Sequence, residues 1–278
     1  MPLLSIITPC YNLGQYLHDN IDSVEKLPVG SYEHIIIDDC STQEETKKII
    51  EQLQEKGAQT IIRNTVNKEL ANSINIAIAQ SKGDYILVLS ADDLLLPDAV
   101  VKAVEFLEKD KNYDIVYGDC IKFGAEEGLQ KSKPFNLQNL LIDNFIHAAT
   151  VYRRKVWEKN NGYDGNAPYM GMEDWEFWLH SVKNKFSFYY LDEPIALYRI
   201  IHNSKIRELS KTKARVNELM QYIFEKHNDL VGAKLLDDFI INRIKQNKSA
   251  YLYKWILKAY FPNNFDRMCK AGKFRRYL

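Results

Sequence analysis

The sequence predicts an α/β protein: a mainly parallel sheet flanked by helices, followed by a helical C-terminal appendage. Three observations carry this. Up to about residue 123, short apolar runs alternate with longer amphipathic ones, the pattern of strands joined by crossover helices. The apolar runs are nearly continuous, as strands buried on both faces require. Beyond about residue 206 only helical periodicity remains.

In chain order, LLSIIT (3–8), HIIID (34–38), TIIRN (60–64), YILVLS (85–90) and DIVYGD (114–119) read as strands. Between them QYLHDNIDSVEKL, TQEETKKIIEQLQEK, KELANSINIAIAQ and PDAVVKAVEFLEKD have helical spacing, and Thr42 and Pro97 with Asp98 mark helix starts. From 124 the pattern loosens: GAEEGLQKSKPFN reads as polar loop, NLQNLLIDNF as a short helix and EDWEFWLHSVKN as a helix with acids in its first turn. Residues 1–205 therefore form one domain. Residues 206–278 form the helical extension, in RELSKTKARVNELMQYIFEKHND, VGAKLLDDFIINRIKQ and YLYKWILKAY.

The 278 residues are 46% hydrophobic, enough for a sizeable core. The 37 basic and 37 acidic side chains cancel, so no global field draws the chain to nucleic acid. Four scattered cysteines, Cys10, Cys40, Cys120 and Cys269, form no CxxC pair and point to a reducing, cytoplasmic setting. The N-terminal apolar stretch lacks a basic leader and reads as a first strand rather than a signal peptide. No apolar run approaches the roughly 20 residues of a membrane span.

In open α/β sheets ligands bind beyond the carboxyl ends of the strands. Here those ends carry Thr8-Pro9-Cys10-Tyr11-Asn12, Asp38-Asp39-Cys40-Ser41-Thr42 and Ser90-Ala91-Asp92-Asp93. Adjacent acids at a strand end point to opposite sides, so Asp92 and Asp93 suit two separate tasks: ligation of a hard cation and a hydrogen bond to a sugar hydroxyl. The alternative is that they complement the dipole of the helix starting at Pro97. There is no GxGxxG, no GxxxxGK[ST] and no GxSxG, which removes dinucleotide, P-loop and serine-hydrolase sites.

SIITPCYN (5–12), IIIDDCST (35–42), LSADDLLLPD (89–98), GMEDWEFW (171–178) and YRIIHNS (198–204), in that order, resemble the family 2 inverting glycosyltransferases of GT-A fold. The resemblance covers about the first 205 residues. It implies a Rossmann-like mixed, mainly parallel sheet, a nucleotide-diphosphate sugar donor, a divalent Mn2+ or Mg2+ ion, and a glycan or lipid-linked acceptor in bacterial cell-surface polysaccharide synthesis. Pro9, Tyr11 and Asn12 match positions around the base, and Asp39 matches the acceptor of the uracil imide N–H, which favours a uridine-linked donor. Asp38 is structural. Asn75 stays at its matching place, Asp92 lies nearer the ribose or shares the metal, and Asp93 is the chief metal ligand. His202 matches a metal or phosphate contact, although YRIIHNS carries one extra residue before the histidine. Asp174 matches the general base and Glu173 an orienting acid.

Three positions depart from the family pattern: Ser90 where many members have an acid, Ile74 where many have arginine, and Ala77 where many have glycine. Lys68 or Arg199 would then supply the missing cation. A second reading is a noncatalytic nucleotide-sugar-binding or scaffold subunit. A nucleotidyltransferase would need a basic loop after the first strand, and TPCYNLGQ has no Lys or Arg. The aromatic and basic segment 251–278 fits either an anionic membrane surface or packing on the catalytic domain or on the second copy of a homodimer.

Overall fold

The computed structural model describes residues 4–201 and 212–230. The chain divides into two compact units, Met1–Asn217 and Glu218–Leu278. In the first unit the described strands are β1 (Leu4–Cys10), β2 (Tyr32–Asp38), β3 (Thr60–Arg63), β4 (Tyr85–Val88), β5 (Leu94–Leu95), β6 (Ile115–Gly124), β7 (Gly128–Gln130), β8 (Val151–Arg153) and β9 (Phe188–Ile200). They form one sheet of order β3-β2-β1-β4-β8-β6-β9-β5, with β7 on β6. The β3-β2-β1-β4 half is parallel, β8 runs antiparallel to both neighbours, and β6 and β9 are again parallel. This is the mixed sheet that the sequence predicts.

The helices are α1 (Gly14–Val24), α2 (Glu44–Lys56), α3 (Leu70–Gln80), α4 (Pro97–Lys109), α5 (Leu137–Leu140), α6 (Arg154–Lys159), α7 (Glu173–Lys183) and α8 (Lys213–Lys226). Alternate residues of β1 face one way, as the period of two demands. Leu4 and Ile6 pack with Val24 of α1 and with Val100, Ala103 and Leu107 of α4, while Cys10 packs with Leu17 and Ile21 of α1 and Ile50 and Leu53 of α2. Burying each such aliphatic side chain contributes roughly 1.5–3 kcal/mol.

Pro97 opens α4 as expected, at a position where its missing N–H costs nothing. Thr42 does not open α2: the helix begins at Glu44 after Gln43, and no Gln43 side-chain bond caps it. Asn12 from the β1–α1 loop replaces that cap, accepting at Oδ1 from Thr42 N (2.8 Å) and Gln43 N (3.0 Å). A cap borrowed from another loop is invisible to a local reading. The segment expected as loop at 124–136 contains β7, because Gly128–Gln130 pairs with the far half of β6. No described helix is long and apolar enough to cross a membrane. The aromatic and basic segment 251–278 lies outside the described residues.

Candidate active site

Parallel register sets Cys10 beside Asp38 and Ile7 beside Val88, so the residues after β1, β2 and β4 share one edge of the sheet. Pro9 is buried inside β1. Ile7 O accepts from Leu89 N, so the bonding groups of Pro9 point to the side where β4 has ended, and its missing N–H leaves no gap in a ladder. Tyr11 is half-buried at the edge. Asn12 follows in the left-handed region at φ 56°, and its amide bridges to Thr42 while Ser41 Oγ accepts from its N–H (2.9 Å). Asn12 thus ties two edge loops together.

Asp38 and Asp39 divide the work at the end of β2. Asp38 is buried, accepts from Ser41 N (3.0 Å) and lies 3.9 Å from Arg63 Nε, so it holds its own loop. Asp39 Oδ1 accepts from Lys68 N (2.7 Å) and from Asn64 Nδ2 (2.9 Å), which also donates to Ser73. Among the described residues no group hydrogen-bonds Asp39 Oδ2. One oxygen fixes the side chain and the other stays available to a donor.

The turn Ser90–Asp93 separates its two acids. Asp93 is 1% exposed; its Oδ1 accepts from Arg199 N (2.9 Å) and its Oδ2 lies 4.0 Å from His147 Nε2. Asp92 is half-buried, and Arg199 Nε donates to its carbonyl (2.9 Å) rather than to its carboxylate. The Arg199 guanidinium lies over the rings of Tyr16 (4.6 Å) and Phe123 (4.3 Å) and reaches Asp19 (3.2 Å). It is therefore a brace between β9 and this turn. Burial raises both carboxyls above the usual range, Asp93 well above it with the Asp92 charge adding to the effect; Arg199 only partly offsets this.

The loop after α5 joins this turn to a third acid. His147 Nδ1 accepts from Ala149 N (3.1 Å), so its proton sits on Nε2, facing Asp93, and burial keeps the ring neutral by pushing its pKa down to about 4. Three residues earlier, Asn144 hydrogen-bonds the carboxylate of Asp174. Three residues of chain span at most about 11 Å. Asp174 lies in the first turn of α7 and its Oδ1 accepts from Trp175 N (2.7 Å), while Glu173 accepts from Gly171 N (2.7 Å). Burial, then the Glu173 charge, pushes Asp174 up to about 7. A carboxyl held there changes protonation near neutrality, as a general base requires.

Other predicted residues fall elsewhere. Asn75 accepts from Tyr163 N (2.8 Å) and Trp157 Nε1 (2.9 Å) and donates to Tyr163 O (2.8 Å), clamping α3 to the loop after α6. Ile74 and Ala77 are buried, so α3 presents no cation at the departing positions. Lys68 is exposed and gives its backbone N–H to Asp39. His202 lies outside the described residues. The sequence reading missed Arg199 as a brace, His147 and Asn144; no local pattern marks them, since each acts on a residue far away in the chain.

The residues fit a hard divalent cation. Asp92 and Asp93 are oxygen donors whose burial leaves negative charge undercompensated, which a cation would correct. Among the described residues no cluster of three His, Cys, Asp or Glu forms a cage, so an ion here would take one or two carboxylates and complete its shell with water or substrate phosphates.

A mixed sheet with acids gathered near its carboxyl edge is also what relatives of this chain would share. The profile described as Glycosyl transferase family 2 matches residues 5–169, and the chain belongs to that family. It is 30% identical to the putative glycosyltransferase EpsE of Bacillus subtilis over 271 residues, covering 94% of this chain and 90% of EpsE. Among solved structures it resembles S. aureus TarS 1–349 in complex with UDP-GlcNAc, with TM-score 0.68 at 17% identity over 89% of this chain and 74% of that one. Against a longer TarS chain it spans only 44% of the partner's length. The mannosyltransferase PcManGT of Pyrobaculum calidifontis, in complex with GDP-Man and Mn2+, gives TM-score 0.65 at 17% identity, covering 93% and 73%. These likenesses establish the GT-A fold.

Proposed function

We propose that the chain is an inverting, metal-dependent glycosyltransferase that moves a sugar from a nucleoside diphosphate, uridine-linked, to a hydroxyl of a growing glycan or cell-surface polysaccharide. The observation that carries this reading is one sheet edge bearing an acceptor with a spare oxygen (Asp39) and a half-buried acid (Asp92), together with a carboxyl raised to about 7 (Asp174) in the first turn of α7. Asp39 Oδ2 would accept the uracil imide N–H, and the Tyr11 ring would stack on the base. Asp92 and Asp93 would hold Mn2+ or Mg2+, which when bound offsets repulsion between carboxylate and diphosphate and stabilises the departing charge. Asp174 would take the acceptor proton as that oxygen attacks the anomeric carbon from the face opposite the diphosphate, with Glu173 beside it as the orienting acid. His202 remains a proposed phosphate or metal contact. The nucleotide sugars named for TarS and PcManGT differ in base, so the donor is the first thing to test.

The test is thermal stabilisation by a panel of UDP-, dTDP- and GDP-sugars, each with and without Mn2+. At 100 times Kd a ligand stabilises by about 2.7 kcal/mol. A UDP-sugar is expected to raise Tm in the presence of the metal only. Stabilisation by GDP-sugars alone would overturn the base assignment, and no response to any donor would overturn the reading as a whole.

A further inference from the structure

Asn20 stands on the apolar stripe of α1, in the row Leu17, Asn20, Ile21 and Val24 that packs on the sheet, and it is fully buried. An unpaired amide there would cost about 1–3 kcal/mol. It is paired, and both of its N–H groups go to the acidic turn: Nδ2 donates to Ser90 O (3.0 Å) and to Asp93 O (2.9 Å). Its Oδ1 faces Thr8 Oγ1 (3.4 Å), which also meets His34 Nε2 (2.9 Å). One turn along, Ser23 Oγ accepts from Leu95 N (2.9 Å) at the far end of the same segment.

From these contacts we infer that Asn20 is a positioning residue for the acid turn, holding its backbone from the α1 side while Arg199 holds it from β9. With Ser90 O and Asp93 O on Asn20, Asp92 O on Arg199 and Asp93 Oδ1 on Arg199 N, these bonds leave the carboxylate of Asp92 and Oδ2 of Asp93 to meet a ligand. Asn20 touches no ligand itself. The inference builds on the proposed function in one respect: the ligand is taken to be a metal-bound nucleoside diphosphate.

Three proteins decide it: wild type, Asn20→Ala, and Thr8→Val, which disturbs the same buried network but leaves both Nδ2 bonds intact. Affinity is read by titrating UDP, and in parallel GDP, in the presence of Mn2+. Amide hydrogen exchange at Asp93 and Leu95 is read without ligand. Asn20→Ala is expected to lose at least tenfold in nucleotide affinity and to speed exchange at both amides. Thr8→Val should lower Tm yet keep affinity within twofold. Affinity within twofold in Asn20→Ala, or equal losses in both variants, overturns the inference. If wild type binds neither nucleotide, the proposed function falls and the exchange data alone decide: faster exchange in Asn20→Ala but not in Thr8→Val supports it, and unchanged exchange refutes it. Should Asn20→Ala not fold, Asn20→Asp, which keeps the size and deletes both donors, is read by the same criteria.

Discussion

Replacing Asp174 by Asn removes one charge and one proton acceptor while keeping the shape of the side chain, and it acts on stability and turnover in opposite directions. Below its ordinary value of 3.8 the carboxyl is protonated whether the chain is folded or not. Between about 4 and about 7 the folded state keeps a proton that the unfolded state gives up, so wild-type stability falls as pH rises through that window and levels off above it. At about 1.4 kcal/mol per tenfold change in proton affinity, the full effect is ~4 kcal/mol. Asp174 is partly exposed, and solvent screening reduces this to ~1–2 kcal/mol. The Asp174→Asn variant escapes that loss. At pH 8 it should unfold roughly 2–8 °C above wild type, by about 2–4 °C per kcal/mol for a domain of this size. At pH 4 the difference should vanish. Transfer should drop by about 10²–10⁴, the contribution of a positioned base, with donor binding retained. The assays are melting curves from pH 4 to 8 and release of nucleoside diphosphate in the presence of acceptor. Undiminished turnover would end the assignment of the base, and a lower Tm at pH 8 would refute the electrostatic argument.

Further expectations follow from the same geometry. Asp39→Asn can keep its bonds to Lys68 and Asn64 through Oδ1, but it would then aim an N–H at the uracil imide; UDP affinity should fall about 10–100-fold, from a mismatch of ~1–3 kcal/mol, with Tm little changed. Equal UDP affinity in a calorimetric titration would remove Asp39 from the base site. Asn75→Ala strips three hydrogen bonds from the α3 clamp and should cost ~2 kcal/mol in a urea melt. A tenfold loss of nucleotide affinity in that variant would return Asn75 to the donor site. Wild-type transfer should rise with pH through about 7 and then stay flat, as ionisation of Asp174 requires. A rate already level at pH 5 would contradict it.

The parallel half of the sheet is legible because β1, β2 and β4 are buried on both faces and so read as unbroken apolar runs. In the second half only β6 is legible, from the apolar run at its start. β9 carries Asp192, Glu193 and Pro194 within its 13 residues, and β5 and β8 are two and three residues long; only pairing with distant partners makes them strands. The acids of the site stand out because strand ends are where function collects, whereas their supports are scattered over α1, β9 and the loop after α5. One support did leave a trace. Asn20 is a polar residue on an apolar helical stripe, and such a residue needs a buried partner.

The bond from Arg199 N to Asp93 Oδ1 joins residues 106 positions apart. A chain leaving the ribosome presents its acids long before it presents the strand that holds them. A domain folds as a unit once its chain has emerged, and such distant contacts close slowly. The acidic turn therefore acquires its final shape only when β9 joins the sheet, which makes this strand a checkpoint: a truncated product ending before residue 199 carries every proposed catalytic acid but lacks the brace that holds their turn.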